Sequence, residues 1–114
     1  MIKISKPSIP NKKVFYKYID RIFKTRILTN NGPIIKEFES ALEKKYKIKN
    51  IVLTNSATNA LMICLKVFNI QKNVLTTPFT YRATANAAKF LNLNILFADI
   101  NSSTLNLNPS NIKS

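Results

Sequence analysis

Asn50-Ile-Val-Leu-Thr-Asn-Ser-Ala-Thr-Asn-Ala-Leu-Met-Ile-Cys-Leu65 carries the reading of this chain. The short apolar run Ile51 to Leu53 predicts a buried strand over residues 51–54. A cluster of small, mostly polar residues follows, Thr54 to Thr58. Ala60, Leu61, Ile63, Cys64, Leu65, Val67 and Phe68 then recur at helical spacing, which predicts a helix over 57–69. A strand that turns directly into a helix leaves backbone N–H groups without intrahelical acceptors, and the helix dipole adds partial positive charge there. Such a turn can hold a phosphate. The same cluster also describes an ordinary helix cap, because Asn55 or Ser56 caps a helix unaided. Taken alone, the stretch leaves both readings open.

The segments that follow repeat the alternation. Asn73-Val-Leu-Thr-Thr77 predicts a strand, and Pro78 leads into a helix at about 80–91. Asn94-Ile-Leu-Phe-Ala98 predicts another strand, which ends at Asp99, a strand-end or turn residue rather than a catalytic acid. Strand–helix–strand–helix–strand with short connections implies a parallel, right-handed α/β arrangement. Ligands gather at the carboxyl ends of the strands in such sheets, and the loops at 54–58 and 77–81 stand at such ends. Residues 101–114 are polar and close on a helix start, Pro109 to Ser114.

The first 49 residues have a different pattern. Residues 1–10 read as extended, punctuated by Pro7 and Pro10. Val14, Phe15, Tyr18, Ile19, Ile22 and Phe23 mark one face of a helix from Asn11 to about Lys24. Gly32 is expected to supply a backbone conformation that other residues disfavour, and Pro33 fits the first turn of a second helix. That helix reaches about Tyr46 and turns Ile34, Ile35, Phe38, Leu42 and Tyr46 inward. Glu37, Glu39 and Glu43 precede Lys44, Lys45 and Lys47, the order the helix dipole favours.

Composition narrows the function classes. A chain of 114 residues with 46% hydrophobic content is at most one domain and is no disordered tail. No apolar run is long enough to span a membrane and the start has no signal-peptide core, so a cytoplasmic protein is expected. There is no histidine, which removes His-based acid–base chemistry and argues against a zinc site. The single cysteine, Cys64, lies on the apolar face of its helix, where core packing is its expected role. The net charge of +13 is concentrated in residues 1–49, which hold 13 basic and four acidic side chains. Only Arg21, Arg26 and Arg82 are arginines, and sites that read bases or grip phosphates lean on arginine. A solvated basic face therefore explains the charge better than nucleic acid does. A small basic module that binds nucleic acid or another polyanion stays as the alternative.

Four segments, in order, resemble the N-terminal part of the DegT/DnrJ/EryC1/StrS family of pyridoxal-phosphate-dependent sugar aminotransferases. Ile27-Leu-Thr-Asn-Asn-Gly-Pro-Ile-Ile-Lys-Glu-Phe-Glu39 is similar to the family's leading loop and the helix after it. Asn55-Ser-Ala-Thr-Asn-Ala-Leu61 resembles its phosphate-binding turn, and Thr76-Thr-Pro-Phe-Thr-Tyr-Arg-Ala-Thr-Ala-Asn86 its cofactor-stacking loop. Phe97-Ala-Asp-Ile-Asn-Ser-Ser-Thr-Leu-Asn-Leu-Asn-Pro109 resembles the strand and turn beyond. The resemblance implies the start of the large domain of a fold-type I pyridoxal-phosphate transferase: two leading helices, then alternating strand and helix with parallel strands. It divides the chain into a helical region, 1–49, and the beginning of a cofactor-binding α/β sheet, 50–114.

The same resemblance implies pyridoxal 5'-phosphate as cofactor. Its phosphate would be held at Ala57 and Thr58 with Ser56 adjacent, and its ring would stack on Tyr81. Without the resemblance, Tyr81 reads as a part-buried aromatic at a helix start. The implied reaction moves an amino group, typically from glutamate, to a keto group of a nucleotide-linked sugar, in a homodimer whose interface would include Asn30 to Pro33. None of the fifteen lysines stands in a segment like that of the family's Schiff-base lysine, so no catalytic residue is assigned and the chain alone is expected to be inactive. A fragment, a split-gene product, a truncated member and a subunit completing a second chain all fit. In the related fold the first strand is flanked by strands from later in the sequence, so strand 51–54 would lack a neighbour here and stability would be marginal.

Overall fold

The computed structural model describes residues 4–112, in two compact units that divide between Leu53 and Thr54. Residues 1–3 and 113–114, the ends of the predicted extended arm and of the predicted last helix, lie outside the described residues.

Unit 1 contains helix α1, Lys12–Thr25, and helix α2, Pro33–Tyr46. Both form where apolar periodicity predicts them; α1 has a side-chain cap, and α2 starts on a proline without one. The Asn11 side chain accepts hydrogen bonds from the N–H groups of Lys13 and Val14, and Pro33 occupies the first turn of α2. Both helices end on a left-handed residue, Arg26 and Lys47. Gly32 corrects the sequence expectation. Its φ of −63° is ordinary extended backbone, and the left-handed residue of the turn is Asn31, at φ 58°. A Cβ at Gly32 would meet its nearest neighbour, Ile27 Cγ2, at an ordinary 3.7 Å. Asparagine tolerates the left-handed region, so the turn does not need glycine there.

The inward faces are only half covered. Ile19, Ile22, Ile34 and Leu42 are half-buried, whereas Val14, Phe15, Phe23, Phe38 and Tyr46 are exposed. An apolar cleft of about 330 Å³ is lined by Tyr18, Ile34, Ile35, Phe38, Ala41 and Leu53. Arg21 forms an ion pair with Glu37 across the two helices, and its guanidinium lies 5.3 Å from the Tyr18 ring centre. The hydrogen bond from Arg21 holds the Glu37 carboxyl below its usual range, with a smaller contribution from the Tyr18 hydroxyl, while desolvation opposes it. A carboxyl lowered by folding stabilises the folded state above its ordinary titration range, and that stabilisation is lost as pH falls through the lowered value. Arg21→Ala is expected to raise the Glu37 midpoint, as read by ¹³C NMR of the carboxyl. An unmoved midpoint would mean that the pair does not form in solution.

Unit 2 contains helix α3, Ala57–Val67; strand β1, Asn73–Thr76; helix α4, Ala83–Phe90; strand β2, Asn94–Phe97; and a 3₁₀ turn, Pro109–Asn111. β1 and β2 pair in parallel with Asn73 opposite Asn94 and Thr76 opposite Phe97, as the alternation predicts. The ladder continues one bond beyond each end, Asn94 N–H to the Lys72 carbonyl and Ala98 N–H to the Thr76 carbonyl. α4 packs against α3 and both strands, and Ala87 and Ala88 are its buried residues. Their small side chains allow that close approach. Asp99 is a turn residue, as expected: its carboxylate accepts from the N–H of Ile100 and its carbonyl from that of Asn108.

Two expectations fail for one reason. Residues 51–54 form no strand, because no strand among the described residues lies alongside to pair with them. Cys64 is exposed rather than packed in a core. α3 is apolar around most of its circumference, and Ile63, Val67 and Phe68 are exposed like Cys64. Ala87, Ala88 and Ala98 are the buried hydrophobic residues among those described, and no large side chain is fully buried. No helix among the described residues is long and apolar enough to cross a membrane.

Candidate functional site

The site is built at the start of α3. The Thr54 hydroxyl donates to the Ser56 carbonyl at 2.9 Å, closing the turn. Ser56 then caps the helix in extended backbone, its Oγ accepting from the Asn59 N–H at 3.2 Å and its carbonyl from the Ala60 N–H. The Asn59 side chain donates back to Asn55 Oδ1 at 2.7 Å. These bonds use the N–H groups of Asn59 and Ala60. Among the described residues the N–H groups of Ala57 and Thr58 have no acceptor, and neither does the Thr58 hydroxyl. Ser56 and Ala57 are exposed and Thr58 is half-buried, so the two free donors and the hydroxyl can be reached.

The cap reading is therefore correct for Ser56, and two donors are left over beyond it. Ser56→Ala is expected to weaken the start of α3 by about 1 kcal/mol, with Ser56→Asp restoring it. Faster amide hydrogen exchange at Asn59 in the alanine variant alone checks this.

Tyr81 stands just before α4, where its carbonyl accepts from the Thr84 N–H. It is 74% exposed, so it is not the part-buried aromatic that its position at a helix start suggests. α3 runs to Val67, and a short link leads to the amino end of β1 at Asn73. Tyr81 precedes α4 as Ser56 precedes α3, and the two helices pack on each other. Tyr81 follows the carboxyl end of β1 by five residues. A cleft of about 260 Å³ opens beside it, lined by Thr77, Thr80, Arg82, Asn86 and Phe97. The sequence placed Arg82 and Asn86 in the resembling loop without giving either a role, although Arg82 is the single arginine of residues 54–114.

These residues fit one end of pyridoxal phosphate. Two unpartnered backbone donors at the N-terminus of an 11-residue helix, with a free hydroxyl on its first turn, suit a phosphate. An open aromatic face suits a flat ring. The other end of the cofactor finds less. The described lysines of unit 2 are Lys66 and Lys89, in the last turns of α3 and α4, and Lys72, before β1. Lys66 and Lys89 are thus at the far ends of their helices from Thr58 and Tyr81. No group of His, Cys, Asp or Glu among the described residues is arranged to hold a metal ion.

The family model described as the DegT/DnrJ/EryC1/StrS aminotransferase family matches residues 11–114. The chain is 35% identical, over 98% of its length, to dTDP-4-amino-4,6-dideoxy-D-glucose transaminase of Escherichia coli. It is 41% identical, over 72% of its length, to UDP-4-amino-4,6-dideoxy-N-acetyl-beta-L-altrosamine transaminase of Campylobacter jejuni subsp. jejuni. It spans 30% and 22% of the lengths of those two relatives. A crystal structure of DesI in the presence of its TDP-sugar product superposes with a TM-score of 0.88 at 28% identity, over 93% of this chain and 27% of that one.

Proposed function

The chain belongs to the DegT/DnrJ/EryC1/StrS aminotransferase family, and we propose that it carries the phosphate-holding turn and the ring-facing loop of a pyridoxal-phosphate site. The whole protein would move an amino group from a donor such as glutamate to a keto group of a nucleotide-linked sugar, in amino-sugar synthesis for surface polysaccharide or related glycans. The chain would be an N-terminal fragment or truncated member of that enzyme, inactive alone. The observation that carries the reading is the pair of unpartnered N–H groups, Ala57 and Thr58, at the start of α3.

In this reading the Ala57 and Thr58 N–H groups and the Thr58 hydroxyl donate to the phosphate, and the α3 dipole favours its negative charge. The Tyr81 face limits tilt of the ring. Pyridoxal phosphate, when bound, supplies the electron sink that amino transfer needs. Carbonyl-bonding amine and ring-nitrogen carboxylate would come from later sequence of a longer protein or from a complementing chain. The exposed apolar faces of α1, α2 and α3 support a partner of that kind.

Titration of the ¹⁵N-labelled chain with pyridoxal phosphate, and separately with inorganic phosphate, tests the reading. Shifts centred on the amides of Ala57 and Thr58 are expected with both ligands, and Tyr81 is expected to respond to pyridoxal phosphate alone. Shifts spread over the lysine-bearing faces of α1 and α2 and erased by salt would instead identify a polyanion-binding module. No response at 57–58 would refute the phosphate site.

A further inference from the structure

Residues 51–53 behave as a strand on which α2 acts as the neighbour. The Leu53 N–H donates to Glu39 Oε1 at 2.9 Å, and the Ile51 N–H donates to Glu43 Oε1 at 3.2 Å. Ile51 and Leu53 are half-buried while Val52 between them is 79% exposed, the period-two burial of a strand. Among the described residues the Val52 N–H has no acceptor.

The spacing explains why this works. Glu39 and Glu43 are four residues apart, so they lie on one face of α2 with a rise of about 6 Å between them. Two residues of extended chain advance about 6.6 Å. The glutamate numbers fall as the strand numbers rise, so the segment runs back along the helix, antiparallel to it. Left-handed residues at Lys47 and Asn50 flank the reversal, and the Ile48 N–H bonds to the Glu43 carbonyl within it. Carboxylate acceptors make stronger hydrogen bonds to backbone N–H than neutral ones do.

We infer that Glu39 and Glu43 are positioning residues: their carboxylates take the place of a neighbouring strand along one edge of 51–53 and set the register at which the chain enters the 54–58 turn. Thr54, whose hydroxyl closes that turn, directly follows the residue that Glu39 holds. A slip by one residue would exchange the half-buried and exposed sides of 51–53. The link to phosphate rests on the proposed function; the two hydrogen bonds and their effect on register do not.

Amide hydrogen exchange by NMR on the full chain tests this residue by residue. In the unchanged chain Ile51 and Leu53 exchange more slowly than Val52. Glu39→Ala speeds Leu53 by about tenfold and leaves Ile51 slow, and Glu43→Ala does the reverse, as loss of a single hydrogen bond at each site requires. Glu39→Gln, which keeps an acceptor oxygen, retains most of the protection at Leu53. Amides of α2 are unchanged in the alanine variants, because alanine is the better helix former. A merely structural role would loosen α2 and residues 51–53 together, and the glutamine variant would not rescue selectively. That result, or equal exchange at residues 51, 52 and 53 in the unchanged chain, overturns the inference. Inorganic phosphate supplies the second arm. With Glu39→Ala its effect on the Thr58 amide weakens, and with Glu39→Gln it does not. If the unchanged chain shows the selective protection but no phosphate response at residues 57–58, the positioning role stands and the proposed function falls.

Discussion

Mixed with pyridoxal phosphate, glutamate and a nucleotide-linked keto sugar, the 114-residue chain is expected to form amino sugar no faster than free pyridoxal phosphate does. Amino transfer needs an amine that bonds to the cofactor carbonyl and then moves protons. Of the described lysines in unit 2, Lys66 and Lys89 stand at the far ends of their helices from Thr58 and Tyr81, and Lys72 stands ahead of β1. Asp99, the one carboxylate of residues 54–114, already accepts from its own turn at Ile100. Chromatographic assay of the amino sugar checks the expectation. A rate above that of the free cofactor would show that the chain is a complete catalyst and would overturn the proposal that it needs a partner.

Heated alone, the chain is expected to lose its structure over a broad range with no cooperative transition, and to bind a hydrophobic dye before heating. It exposes 10513 Å² of accessible surface. Even two separate compact units, each of half its mass, would expose only about 7,600 Å² together by the scaling for folded monomers. The excess is what a missing neighbour would cover. Three buried alanines cannot replace it, since each contributes a single methyl group to the core. A two-state fold of this length would unfold with an enthalpy of about 80 kcal/mol near 60 °C. Calorimetry that finds a sharp peak of that size would overturn the expectation. The exchange measurements at Asn59 and at residues 51–53 do not depend on a cooperative core, because each compares neighbouring amides in one molecule.

α1, α2 and the parallel pair β1–β2 were legible because each rests on a signal written locally. Asn11 before Lys12 and Pro33 at a helix start are capping signals, and apolar spacing marks which face turns inward. Ser56, Ala57 and Thr58 were legible as a helix start for the same reason, and their free donors follow from helix geometry. Failures occurred where a residue's state depends on something remote in sequence. Ile51 to Leu53 have strand composition, but a strand exists only as part of a pair. Cys64 has a core residue's chemistry, but burial depends on what lies opposite. Gly32 invited a left-handed assignment that the turn gave to Asn31, one position earlier.

By itself the sequence determined where α1 to α4 form, the parallel order of β1 and β2 and the residue kinds at the proposed phosphate turn, because periodicity and capping act over a few neighbouring residues. Only the tertiary structure decided that Glu39 and Glu43 reach the backbone of Leu53 and Ile51, that Tyr81 is open and that the buried hydrophobic residues among those described are three alanines. Hydrogen bonds and burial of this kind need a partner brought close by folding, and local composition does not name that partner.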